Sequence, residues 1–197
     1  CGANGLTRVA QPASGPALEL NIDLVGGPRG YRHVRAQRSR EDLVRALGRL
    51  PTDSRIIDAS AGLGRDALVL AARGFEVVAI ERNPVLATLL RDAMERASGR
   101  QVLRASLDRV SLQQADVREW LSGHQEVFDA AVFDPMFPPR RKDAEVRKEM
   151  RVLHQLLGAN PDPDAPETLK ALLGRVRRCV VVKRPLHAPV VGGLQPA

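Results

Sequence analysis

The chain has 197 residues, enough for one well-buried domain and too few for two comfortable ones. Hydrophobic residues make up 44% and charged residues 27%, and no apolar run approaches the roughly 20 residues that span a bilayer, which argues against a membrane protein. Lysine plus arginine exceed aspartate plus glutamate by 30 to 23, a formal charge of +7, with arginine well ahead of lysine. That balance suits a polyanionic partner, because guanidinium groups fork onto phosphates and gain from counterion release. A basic but merely solvated surface gives the same count. Two cysteines, Cys1 and Cys179, exclude a disulfide framework and favour a reducing compartment, with the cytoplasm as default. No signal peptide is visible. An opening Cys1 without Met suits a shortened chain better than the lipid-bearing end of a lipoprotein.

Residues 1–38 read as an irregular, basic N-terminal segment and 39–197 as the main domain. Residues 1–20 are rich in Gly, Pro, Ala and Ser, while Asn21–Val25 reads as a short strand ended by Gly26-Gly27. From Ser39 the spacing of Leu43, Val44, Leu47 and Leu50 predicts a helix closed by Pro51. Strand and helix then alternate. Arg55–Asp58 is a strand that runs into a glycine turn at Ala61–Gly64, Asp66–Arg73 a helix, and Phe75–Ile80 a strand ending at Glu81. Asn83-Pro84 opens a helix that continues to about Ala97, with Pro in the first turn. Further strands are predicted at Val110–Gln114, ending near Asp116, and at Val127–Phe133, ending at Asp134. A charged amphipathic helix over Asp143–Leu157, a Pro-rich break at Asn160–Pro166, another helix and a strand at Cys179–Lys183 complete the order.

Strands separated by helices imply an α/β fold, a doubly wound, mostly parallel sheet of Rossmann-like type with ligands at the carboxyl ends of the strands. Asp58, Glu81, Asp116 and Asp134 all fall at such ends. The segment Gly62-Leu63-Gly64-Arg65-Asp66-Ala67 matches the glycine fingerprint of nucleotide-binding turns, and Glu81, 17 residues after Gly64, is placed to accept from ribose hydroxyls. Charge separates the cofactors. A dinucleotide sets a pyrophosphate against this turn, where Asp58 and Asp66 would repel it. The ammonium and sulfonium of S-adenosyl-L-methionine would instead be attracted. Asp66 as helix N-terminal charge compensation and Glu81 as a solvated acid are the plainer readings. Arg65 and Arg82 flank these acids, and Asp116 is placed to accept from the adenine amino group.

Asp134-Pro135-Met136-Phe137-Pro138 follows the fourth strand. An exocyclic base amine is a poor nucleophile, since its lone pair is delocalised into the ring. The Asp134 carboxylate and Pro135 carbonyl can hold its two N–H groups, and Phe137 can stack on a base rotated out of its helix. An Asp-Pro turn is the plain alternative. Arg140, Arg141, Lys142, Arg147, Lys148 and Arg151 downstream, with Lys183 and Arg184 after the fifth strand, are placed to meet RNA phosphates. Helical pairing with Glu145 and Glu149 accounts equally for some of them. Arg29, Arg32, His33, Arg35, Arg38 and Arg40 extend this surface or form a solvated linker. The four histidines lack ligand spacing, so no metal is expected.

Asp58–Asp66, Glu81–Pro84, Asp134–Pro138, Lys148–Arg151 and Val181–Pro185, with Ile22–Gly27 upstream, together resemble the bacterial ribosomal RNA small subunit methyltransferase J family over about residues 18–190. The resemblance implies a class I S-adenosylmethionine-dependent methyltransferase acting on N2 of a guanine in 16S rRNA, nucleotide 1516 in that family's numbering, or on the assembled small subunit. It also implies cofactor contacts by Arg65-Asp66, Glu81-Arg82, Asp116-Val117 and Asp134. The rival readings are methylation of another amine (adenine N6 or a protein glutamine), an NAD-dependent oxidoreductase, and a non-catalytic RNA-binding module.

Overall fold

The computed structural model describes residues 5–10, 18–25, 42–137 and 162–195. Two short strands, β1 (Arg8–Ala10) and β2 (Leu18–Leu20), pair antiparallel outside the main sheet. After α1 (Asp42–Leu47) the alternation begins with β3 (Arg55–Asp58), α2 (Arg65–Ala72), β4 (Glu76–Glu81), α3 (Pro84–Ser98) and α4 (Gln101–Leu107). It continues with β5 (Val110–Gln114), α5 (Val117–Gly123), β6 (Phe128–Phe133), α6 (Ala165–Leu173) and β7 (Val176–Val182), and a short 3-10 turn at Val191–Gly193 follows.

The five later strands form one sheet in the order β5-β4-β3-β6-β7, and every neighbouring pair is parallel. This is the doubly wound, Rossmann-like α/β arrangement that the alternation predicted. The chain builds outward from β3 through β4 to β5, then returns to place β6 on the other side of β3. That reversal opens a crevice at the carboxyl ends of β3 and β6, the usual ligand position in such sheets.

Side chains alternate across the sheet, so neighbouring residues enter different layers. Ile56 joins one buried cluster with Leu68, Leu70, Leu86, Leu90 and Leu103, while Ile57 joins a second with Val117, Leu121, Leu169 and Leu172. Each fully buried side chain of this size contributes about 1.5–3 kcal/mol, so the two layers together fix the strand ends rigidly. The helix after the first strand depends on Gly64. Its φ of 72° is left-handed, and a Cβ there would lie 2.6 Å from Leu90 Cδ1. The helix after the second strand is capped by Asn83, whose side chain accepts from the Val85 and Leu86 amides, with Pro84 in the first turn.

Some expectations need correction. Residues 21–25 are not a strand; the pairing lies at Leu18–Leu20, within the segment read as irregular. The alternation of Ile22 and Leu24 reflects burial in the first cluster, where the Ile22 carbonyl accepts from Arg96 of α3. Helices α4 and α5 were not among the predicted elements, and the last strand starts at Val176 rather than Cys179. The helix expected over Asp143–Leu157 and the arginine cluster from Arg29 to Arg40 lie outside the described residues. No helix among the described residues is long and apolar enough to cross a membrane.

Candidate active site

The carboxyl ends of the strands open into a cleft of about 420 Å³, within the size range of small-molecule sites. It is lined by the glycine turn from Ala59 to Leu63, by Arg65-Asp66 of α2, and by Glu81-Arg82 at the end of β4. Asp116-Val117 after β5, Asp134–Phe137 after β6, Asp162 and Asp164 before α6, and Lys183 after β7 complete the wall. Thus every residue singled out for cofactor or base binding borders one cavity, except Asp58 and Gly64.

Asp58 is the deepest of them. It is 2% exposed and lies behind the wall rather than in it. One carboxylate oxygen accepts from the Ser60 amide at 3.2 Å, while Oδ2 is buried with no hydrogen-bond partner among the described residues. Burial, reinforced by the neighbouring Asp66 carboxylate, pushes its pKa up to about 7; the Ser60 amide and Lys183 oppose the rise. The carboxylate form is thus disfavoured for want of a full counterion, which a positively charged ligand would supply.

Glu81 is also buried, and it organises the turn. Its Oε2 accepts from the Gly62 amide at 2.8 Å and its Oε1 from the Asn83 amide at 2.7 Å. Burial raises its pKa despite these two amides. Each oxygen takes one amide and retains a second lone pair, and Glu81 lines the cleft where ribose hydroxyls could donate. Glu81→Ala is expected to weaken binding of S-adenosylhomocysteine by about 1–3 kcal/mol, the scale of a charge-assisted hydrogen bond. Isothermal titration checks this, and unchanged affinity would remove Glu81 from the ligand's partners.

Two further expectations meet a different geometry. Arg82, expected against the cofactor, directs its guanidinium to Asp162 and Asp164. Asp116, expected to receive the adenine amine, caps α5 through the Arg118 amide and pairs with the Arg118 guanidinium at 3.0 Å. Arg118 also reaches Asp164 at 2.7 Å. These acids and arginines form a connected network along the cleft wall, with Arg118 behind it. Asp162 further clamps the loop after β6, accepting from the Met136 amide at 2.9 Å and donating its own amide to the Met136 carbonyl at 3.1 Å. Asp162 and Asp164 were missed in the sequence; their only signal was a pair of acids at the end of a Pro-rich break.

Asp134 lines the cleft, half-exposed, with its amide donating to the Ser60 hydroxyl at 2.7 Å. Lys183 departs most from expectation. Read as a phosphate contact, it instead points into the cleft, where its ammonium donates to Asp66 Oδ2 and Asp134 Oδ2 at 2.7 Å each. Arg184 remains exposed, while Arg140, Arg141, Lys142, Lys148 and Arg151 lie outside the described residues.

A five-stranded parallel sheet with a glycine turn after its first strand, an acid after its second and an Asp-Pro-x-aromatic loop after its fourth defines a Rossmann-like methyltransferase. Comparison with known proteins gives the particular family. A model of SAM-dependent methyltransferases matches residues 6–197. Ribosomal RNA small subunit methyltransferase J of Thioalkalivibrio sulfidiphilus is 43% identical over 195 residues, covering 98% of this chain and 74% of the relative. The protein of the same name from Coxiella burnetii is 40% identical over 192 residues, 97% of this chain and 73% of the relative. A crystal structure of a SAM-dependent methyltransferase from Neisseria gonorrhoeae superposes with a TM-score of 0.71 at 25% identity, covering 96% of this chain and 72% of that one. The chain belongs to the ribosomal RNA small subunit methyltransferase J family, whose methyl donor is S-adenosylmethionine.

The residues present fit that donor. The unpartnered Asp58 oxygen and the acidic lining at Asp66 and Glu81 suit a cation carrying a ribose, and would be mismatched to a pyrophosphate.

Proposed function

We propose that this chain methylates the N2 amino group of a guanine in 16S rRNA of the small ribosomal subunit. The observation that carries this reading is the placement of Asp134–Phe137 on the wall of the same cleft as Asp66 and Glu81, at the switch point between β3 and β6. The names of the relatives supply the class of substrate. Such a substrate places the enzyme in the cytoplasm.

When bound, S-adenosylmethionine supplies an electrophilic methyl group on a sulfonium. Asp66 and Glu81 would hold the donor's ammonium and ribose, with Asp58 adding negative charge from behind; Gly62 would let the backbone approach, and Gly64 makes room for Leu90 beneath the turn. The Asp134 carboxylate and the Pro135 carbonyl each accept one N–H of the guanine amine, which turns its lone pair toward the methyl carbon. Phe137 stacks on the base. The Asp134 carboxylate would then accept the proton that the guanine nitrogen sheds once it carries the methyl group. Arg184, together with Arg140, Arg141, Lys142, Lys148 and Arg151, meets the RNA phosphates. The catalytic domain at 39–197 is joined by part of the segment before it, Leu20, Ile22 and Leu24 lying in its first core cluster.

The test uses small subunits, and rRNA extracted from them, from cells lacking the gene. Incubation with labelled donor followed by mass mapping should place one methyl on guanine N2. A methyl on adenine N6 or on protein assigns another amine, and no methyl on any of these substrates leaves a non-catalytic RNA-binding module.

A further inference from the structure

We propose that Lys183 is a positioning residue for methyl transfer: by bonding both Asp66 and Asp134 it fixes the Asp134 carboxylate with one oxygen left for the acceptor amine. This rests on the reading of Asp134 as the group that receives the amine. Three carboxylates, on Asp58, Asp66 and Asp134, converge on this corner from β3, α2 and the loop after β6. Lys183 is the cation that bridges two of them, with Nζ 2.7 Å from Asp66 Oδ2 and 2.7 Å from Asp134 Oδ2. Asp134 is thereby held at two points, its side chain by Lys183 and its amide by the Ser60 hydroxyl. Asp134 Oδ1 receives no hydrogen bond from the described residues, and Asp134 lines the cleft.

Most of the other charges around the cavity serve other partners. Glu81 serves the Gly62 and Asn83 amides, Arg82 pairs with Asp162 and Asp164, and Asp116 pairs with Arg118. Arg65 borders the cleft beside Asp66. Lys183 is therefore the group best placed to set both the direction and the ionisation of Asp134. Burial raises the Asp134 pKa and repulsion by Asp66 adds to the rise, while Lys183 opposes it. Lys183 itself, although burial lowers its pKa, is kept protonated by Asp66 and Asp134. Without the ammonium, Asp134 would hold its proton to higher pH and swing away from the amine.

The experiment compares Lys183→Met and Lys183→Arg with wild type, using undermethylated rRNA and recording kcat, KM and the pH profile of kcat. Lys183→Met should lower kcat by about 10- to 100-fold with the rRNA KM within about twofold, the pattern of a lost orientation rather than a lost binding contact. Its acid limb should move to higher pH, and Lys183→Arg should restore both rate and limb. Should the Met variant not fold, Lys183→Gln, which keeps a donor but not the charge, takes its place with the same expected shift. A raised KM at unchanged kcat, with a salt dependence reduced by about one counterion, would instead make Lys183 a phosphate contact and overturn the proposal. So would an acid limb that stays in place. A wild type inactive on this rRNA tells against the reading of the substrate itself, whereas an active wild type with unaltered variants tells against Lys183 alone.

Discussion

Asp134→Ala is expected to lower the rate of rRNA methylation by about 10²- to 10³-fold, the loss typical of one preorganised group facing a charge that develops in the transition state. The amine becomes positive as the new bond forms, so a carboxylate beside it gains strength during the reaction, where it accelerates rather than merely binds. Affinity for S-adenosylhomocysteine, which lacks the sulfonium charge, should change less than about tenfold, separating chemistry from cofactor loading. Asp134→Asn keeps an acceptor oxygen but neither the charge nor the Lys183 ion pair, and should fall between wild type and alanine. The active form is the carboxylate. Because burial holds the Asp134 pKa above the usual carboxylate range, the wild-type rate should decline as pH falls through that raised value, and Asp134→Asn should lose this limb. A variant with kcat within about threefold of wild type would remove Asp134 from the chemistry.

The sheet was legible because its strands are short and a polar residue stands at or just after the end of each. Arg55–Asp58 and Val110–Gln114 were placed to the residue, and the strands at Glu76–Glu81 and Phe128–Phe133 to within one. The two missed helices are seven residues each, shorter than the window in which a helical period declares itself. Of α4, only Leu103, Ser106 and Leu107 are buried, and its N-terminus has no side-chain cap. In α5 the capping signal was present but attributed elsewhere. Asp116 was read as a ligand acceptor, although Asp before a helix is as often a cap.

The site was legible as a set of strand ends and much less so as a set of directions. Position along a parallel strand decides whether a residue reaches the crevice, so Glu81 and Asp134 followed from spacing. The direction of a long side chain depends on what lies across the sheet. Lys183 and Arg184 are neighbours and were read together as a basic rim. The structure turns Lys183 in toward Asp66, 117 positions away in sequence, while Arg184 stays out. Arg82 likewise turns toward Asp162 and Asp164, acids that no local pattern ties to it. Long-range ion pairs of this kind have no periodicity, and only the closed fold brings them together.

Asp58 should make the cofactor-free enzyme lose stability as pH rises, and Asp58→Asn should largely abolish that loss. In the folded protein the carboxyl keeps its proton up to about pH 7, whereas in the unfolded chain it releases it near 3.8. Between those values folding takes up a proton. Stability therefore declines as pH climbs from about 4 to about 7 and levels off above, a total of the order of 4 kcal/mol if Asp58 acts alone. Its coupling to Asp66, Asp134 and Lys183 spreads the transition over a wider range than a single titration. Thermal melts of wild type and Asp58→Asn at pH 5, 7 and 9 check this, with the wild-type midpoint falling further across the series. Cofactor binding should reverse the effect, because a cation beside Asp58 favours the carboxylate and expels its proton. Titrations with S-adenosylmethionine near pH 7, run in two buffers of different ionisation enthalpy, should then show proton release in wild type and much less in Asp58→Asn. Parallel melting curves for the two proteins, together with equal proton counts, would mean that Asp58 is neither strained by burial nor felt by the bound cation, and its part in choosing a positively charged donor would be withdrawn.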